Sequence, residues 1–125
     1  MSTRCQIAFY DTQTHELPSA LLYRHSDGYP DTPHGVIATL VPILRQYKTR
    51  RGFYDSEFCA AVVLHQWLTA YEQQYPDGLS GLGVSQELHG DIEYFYAVYD
   101  GVLVIYTPES VVDYASMHEV ARMSW

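Results

Sequence analysis

Tyr23-Arg24-His25-Ser26-Asp27-Gly28-Tyr29-Pro30 gathers more reactive chemistry than any other stretch of this chain. A guanidinium clamps phosphate oxygens bidentately, and tyrosine rings stack on planar ligands. An imidazole and a carboxylate two residues apart can move protons or set specificity by hydrogen bonds. Ser26 is a candidate nucleophile. Adjacent strand residues point to opposite faces, however, which disfavours a Ser26–His25 couple. Asp27-Gly28 is equally an ordinary turn pair, whose carboxylate accepts backbone N–H bonds. His25, Asp27, Asp31 and His34 offer imidazole and carboxylate to a metal, but no cysteine joins them and no helical His-x-x-x-His spacing is present.

Tyr94-Phe95-Tyr96-Ala97-Val98-Tyr99 is the densest aromatic run. Alternation puts Tyr94, Tyr96 and Val98 on one face and Phe95, Ala97 and Tyr99 on the other. If Tyr94 and Tyr96 meet Arg4 or Arg24, aromatic planes lie beside a guanidinium, a pairing suited to bases and phosphates. The alternative is sheet packing against helices. His89, Asp91 and Glu93 surround a tight turn, where Asp91 and Glu93 could hold an arginine or a cation or be solvated turn charges. His15, His65 and His118 are isolated. No phosphate-binding glycine loop, nucleophile elbow or zinc-peptidase helix is present, so no cofactor is expected.

Certain elements must position these groups. Arg4 to Tyr10 alternates, with Cys5, Ile7 and Phe9 on one side and Arg4, Gln6, Ala8 and Tyr10 on the other. Ala20 to His25 is a second strand, antiparallel to the first across a longish loop. Thr32 and Pro33 suit the start of a helix carrying Val36, Ile37, Leu40, Val41 and Leu44, with Pro42 inside it. Asp55 or Ser56 caps a second helix reaching about Gln74, ended by Pro76-Asp77-Gly78. Leu82 to Leu88, Ile92 to Tyr99 and Val102 to Thr107 read as a three-strand meander, with Asp100-Gly101 as a two-residue hairpin turn. Pro108 opens a short tail helix from Glu109 to about Met117. The expected fold is α+β: one domain, with an antiparallel sheet of about five strands, two N-terminal and three C-terminal. Two central helices cover one face, and a short C-terminal helix follows. The other face should carry Arg4, Gln6, Arg24 and several tyrosines, open or covered by a partner subunit.

The chain has 125 residues, twelve tyrosines, two cysteines and a net charge of −8. That length buries about two-thirds of the unfolded surface, enough for a core without staples. Cys5 and Cys59 lack metal-like spacing and read as buried thiols. Without a leader pattern or a spanning apolar run, a cytoplasmic protein is expected, with no membrane partner. The acidic balance argues against a nucleic-acid polymer as partner. Arg45, Lys48, Arg50 and Arg51 are clustered, which suits a helix C-terminus or one small anion.

Thr3-Arg4-Cys5-Gln6-Ile7, the Tyr23 to Pro30 string, Gly35 before an apolar helix, and Leu88 to Tyr94 together resemble a group of small phage and bacterial proteins. These begin with a Thr-Arg strand and carry a His-x-Asp-Gly-Tyr-Pro segment. The resemblance covers about the first half of the chain plus one hairpin. It supplies no catalytic residues and implies a phage or mobile-element setting.

The leading expectation is a non-enzymatic binding protein, homo-oligomeric, for a small anionic ligand of nucleotide type. Its site would comprise Arg4, Tyr23, Arg24, His25, Asp27, Tyr29, Tyr94 and Tyr96, and it could sequester a host defence signal. The alternatives are a protein–protein inhibitor of a host protein and a small hydrolase or nuclease using His25, Asp27 and His34.

Overall fold

β1 (Cys5–Phe9) is buried along its whole length, because it lies in the middle of a sheet covered on both faces. The computed structural model describes residues 3–11, 17–31, 35–71 and 81–125. After β1 come β2 (Ala20–Arg24), α1 (Val36–Arg51), α2 (Ser56–Tyr71), β3 (Leu82–Val84), β4 (Tyr94–Tyr99), β5 (Val102–Thr107) and β6 (His118–Ser124). The architecture is α+β with a six-strand mixed sheet, ordered β3-β2-β1-β4-β5-β6.

The expected antiparallel hairpin of β1 and β2 is present, with Cys5 opposite Arg24 and Ile7 opposite Leu22. The expected antiparallel five-strand sheet is not. β4 runs parallel to β1, with Cys5 level with Tyr94 and Ile7 level with Tyr96. The two helices supply the long return connection that parallel neighbours need. Parallel strands sit deep and read as continuous apolar runs, which Phe95-Tyr96-Ala97-Val98 satisfies.

The meander is corrected too. β3 docks antiparallel on β2 at one sheet edge and does not pair with β4. It spans only Leu82–Val84 rather than reaching Leu88, and β4 starts at Tyr94 rather than Ile92. The β4–β5 hairpin is as expected, with Gly101 at φ 76° supplying the left-handed turn residue.

No C-terminal helix forms. Tyr114–Ser116 is one 3-10 turn, capped by Asp113, and β6 follows as an edge strand on β5. Val111 and Val112 are β-branched and poor helix formers. Pairing with β5 satisfies one side of the β6 backbone and lays Met123 beside the core. A register shift opposite Ile105 and Tyr106 leaves Val120 bulged, so Glu119 and Arg122 share a face and pair at 2.8 Å.

Both helices pack on one sheet face, as expected. Leu40, Leu44, Cys59, Val63 and Trp67 meet Ile7, Phe9, Tyr96, Val98 and Ile105. Asp55 caps α2, its Oδ1 accepting the Glu57 and Phe58 N–H groups at 3.0 and 3.1 Å. α1 runs through Pro42 and ends on basic residues, Lys48, Arg50 and Arg51. Thr32, Pro33, His34, His15 and 76–78 lie outside the described residues. The opposite face holds a smaller cluster, in which Val112, Tyr114 and Met117 lie against Phe95, Ala97 and Val104. Cys5 and Cys59 are buried free thiols. Among the described residues, no helix is long and apolar enough to cross a membrane.

Candidate functional site

Sheet parity separates the residues expected to form one site. Arg24 lies opposite Cys5, and Tyr94 and Tyr96 lie level with Cys5 and Ile7, so all three turn to the helix face. Tyr23 and His25 alternate with Arg24 and turn the other way, to the face that carries Arg4 and Gln6.

On the helix side the expected binding groups hold the fold. Arg24 is only 3% exposed, and its guanidinium lies 4.8 Å from the Trp67 ring centroid. Asp27 Oδ2 is 3.9 Å from Arg24 Nη2, and Asp27 Oδ1 accepts the Tyr29 hydroxyl at 3.3 Å. Tyr96 is fully buried and donates to the Gly28 carbonyl at 2.7 Å. Burial pushes the Tyr96 phenol far above its usual range. The expectation that Arg24 lies on the open face with Arg4 is therefore corrected. Arg24 follows Leu22 by two positions and inherits its inward direction.

The open face brings Arg4 and Tyr23 together and adds three residues from the 85–91 segment. Asp91 Oδ2 is 3.3 Å from Arg4 Nε and accepts the Tyr23 hydroxyl at 3.4 Å. Burial first, then the Asp91 charge, raise the Tyr23 phenol, with Arg4 opposing. The Tyr23 ring stacks on His89 at 4.3 Å between centroids and 21° between planes. His25 is exposed, 6.4 Å from the Tyr23 ring. His89 Nδ1 lies 3.9 Å from Asp91 Oδ1, while His89 Nε2 lies 3.5 Å from Ser85 Oγ.

Gln6 fixes this arrangement from beneath. It is fully buried, and both ends of its carboxamide bind loop backbone. Its Nε2 donates to the Glu87 carbonyl at 3.1 Å, and its Oε1 accepts the His89 N–H at 2.9 Å. The Ser85 N–H donates to the Leu21 carbonyl, and the Glu93 N–H to the Arg4 carbonyl, both at 2.8 Å. The segment that carries Ser85, His89 and Asp91 is thus tied at four points to β2, to β1 and to Arg4 just before β1.

Beside Ser85 lies a groove of about 380 Å³, lined by Leu17, Pro18, Leu21, Ser85, Gln86 and Tyr114. Among the described residues, no three His, Cys, Asp or Glu side chains converge as a metal-holding group.

The sequence points to Arg4, Tyr23 and His25, and to Asp91 as a residue that could hold an arginine, which here is Arg4, but not to His89 or Ser85. One signal was available: a glutamine at the centre of an otherwise apolar strand has to find buried partners. Comparison with protein-family models, curated proteins and solved structures finds no match.

Proposed function

We propose that this protein binds a small anionic ligand of nucleotide type on the sheet face where Arg4 meets Tyr23. The observation that carries the reading is one cluster: the Arg4 guanidinium, 34% exposed, held by Asp91 beside the stacked Tyr23 and His89 rings. An arginine oriented by a carboxylate, next to aromatic planes, suits a phosphate attached to a base. His25 adds a hydrogen-bonding group at the rim. The net charge of −8 disfavours long polyanions while leaving one local guanidinium available. In this reading Arg24, Asp27, Tyr29, Tyr94 and Tyr96 support the site from the other face. The protein acts in the cytoplasm as a homo-oligomer. Its setting is a phage or mobile element, and its role is to sequester a host defence signal.

The test is calorimetric titration against a panel of cyclic and linear nucleotides. At least one member binds the native protein, and Arg4→Ala and Tyr23→Ala each weaken that binding at least tenfold. If no member of the panel binds, the reading is wrong.

A second reading, docking on a host protein, rests on a different surface. Phe53 and Phe58 are exposed by 56% and 52%, and the Arg51 guanidinium lies over both rings, 4.7 and 4.4 Å from their centroids. Arginine and aromatic side chains are enriched at protein interfaces. A stoichiometric protein partner from host lysate, lost in Phe58→Ala, favours this reading over the first.

A further inference from the structure

We propose that Ser85, His89 and Asp91 form a nucleophilic relay that hydrolyses carboxylic esters whose acyl group enters the groove between Leu17 and Tyr114. The relay shares Asp91 and His89 with the Arg4 rim, but its substrate enters the groove beside Ser85, so the proposal does not depend on a nucleotide ligand.

Connectivity is the first support. A serine hydrolase needs one imidazole to face the hydroxyl with one nitrogen and a carboxylate with the other. His89 does this, with Nε2 at 3.5 Å from Ser85 Oγ and Nδ1 at 3.9 Å from Asp91 Oδ1. Such contacts are commonly long in the unliganded state and tighten with substrate.

Orientation is the second. Asp91 Oδ2 is taken by Arg4 Nε and the Tyr23 hydroxyl, which leaves Oδ1 for His89. The Tyr23 ring fixes the imidazole plane by stacking. The buried Gln6 carboxamide holds the His89 N–H and the Glu87 carbonyl, so the loop is set before substrate arrives. Arg4, Tyr23 and Gln6 are positioning residues here. They act through Asp91, His89 and the loop backbone.

The third support is the cavity. Ser85 and Ser19 line the groove together with Leu17, Pro18, Ala20, Leu21 and Tyr114, which offer apolar surface to an acyl chain. Gln86, next in sequence, lines it too, and in this proposal its carboxamide is the group that would donate to the developing oxyanion.

The step balances with water alone. Ser85 Oγ bonds to the ester carbonyl carbon as its proton passes to His89 Nε2. The tetrahedral adduct collapses, the C–O bond to the alcohol breaks, and the alkoxide takes the proton from His89. Water, deprotonated by His89, then releases the acid and restores Ser85. Protonated His89 is stabilised by Asp91 throughout.

The test uses the intact protein with diisopropyl fluorophosphate, followed by intact and peptide mass measurement, and with p-nitrophenyl butyrate turnover. One phosphoryl adduct per chain is expected on the Ser85 peptide, and none after denaturation. Ser85→Ala removes the adduct and the turnover. His89→Ala lowers turnover on the order of 100-fold or more. Asp91→Asn lowers it and shifts the pH midpoint of the acidic limb, on which the catalytic base must lose its proton, a change that a purely structural role does not produce. His118→Ala, on β6, leaves both unchanged. Ser85 and His89 are not in the core, so their alanine variants fold, and a thermal melt verifies this. Failure to form an adduct, or an equal adduct or equal turnover in Ser85→Ala, overturns the proposal. Nucleotide binding, read separately by calorimetry, is unaffected by that outcome.

Discussion

The Tyr96 hydroxyl donates to the Gly28 carbonyl oxygen at 2.7 Å, a buried bond between the central strand β4 and the turn that follows β2. Gly28 sits so close to β1 that an added Cβ would lie 2.8 Å from the Thr3 carbonyl oxygen and 2.9 Å from Cys5 Cβ. Its own N–H donates to that Thr3 carbonyl at 2.9 Å. Asp27, just before it, adopts φ 55°, a left-handed value that aspartate tolerates better than most residues. The Asp-Gly-Tyr segment is therefore a clasp joining three strands. Its residue types answer first to close approach and backbone hydrogen bonding. The reactive side chains lie on the far side of the sheet.

The clasp makes a ranked prediction. Tyr96→Phe leaves a buried carbonyl without its donor and destabilises the fold by about 1–3 kcal/mol. Gly28→Ala forces a methyl group against the backbone of Thr3 and Arg4 and the Cys5 Cβ and costs at least as much, because the segment leading into β1 cannot give way cheaply. Urea unfolding of both variants, with unchanged m-values, checks the order. An alanine at position 28 without measurable cost contradicts the close packing.

Much of the fold was legible because local signals agreed. Alternation in Arg4 to Tyr10 separates Cys5, Ile7 and Phe9 from Ala8 and Tyr10, as the two core clusters do. Asp55 caps the helix it was expected to cap. What could not be read was partner choice. Whether β4 lies beside β1 or β3 depends on where two helices return the chain, which no local pattern records. The tail was misread because Pro108-Glu109 resembles a helix start, while β6 owes its form to pairing with β5. Arg24 was misplaced for a related reason. Its charge suggested an outward direction, but the parity set by Leu22 turns it inward, where Trp67 and Asp27 receive it. Asp91 could be read as holding an arginine, but that the arginine is Arg4, and that His89 stacks on Tyr23, is not legible because those partners are about seventy to ninety residues away in sequence.

Gln6 should behave as the anchor of the 85–91 loop. Gln6→Leu keeps the size of the side chain but strands the His89 N–H and the Glu87 carbonyl. The expected cost is about 1–3 kcal/mol for each group left unsatisfied, reduced where loosening lets water reach it. Hydrogen exchange provides the specific readout: the His89 amide exchanges much faster in the variant, while amides in α1 do not change. Unaltered His89 protection shows that the loop is held by other means.

Arg24 is a packing residue, so its variants report on stability before binding. Arg24→Lys places a compact ammonium where a planar guanidinium lies over the Trp67 ring, and Arg24→Ala leaves a void beside it. Each is expected to cost roughly 2 kcal/mol or more. Trp67 is fully buried, so a red shift of its fluorescence accompanies the loss. Binding defects in Arg24 variants that retain native melting behaviour would contradict this assignment.

The last prediction concerns alkaline pH. Burial pushes both the Cys5 and Cys59 thiols up to about 12 from an ordinary 9.0, and pushes the Tyr99 phenol to about 12, with Tyr106 adding to it. For each group the folded chain keeps its proton while the unfolded chain has already lost it. Above pH 9 the unfolded state thus binds fewer protons than the native state, and stability falls as pH rises. The contribution of these groups is complete below pH 9 and disappears progressively toward pH 12. Urea midpoints measured between pH 7 and pH 11 should be flat at first and then decline. Cys59→Ala, which removes one of the titrating thiols, should decline less steeply from its own lower starting point. Native protein at pH 8 should also leave a disulfide-exchange reagent unreacted until urea unfolds it, when two thiols per chain react. A fast-reacting thiol in the native protein, or a midpoint that rises between pH 9 and pH 11, contradicts the buried, protonated state.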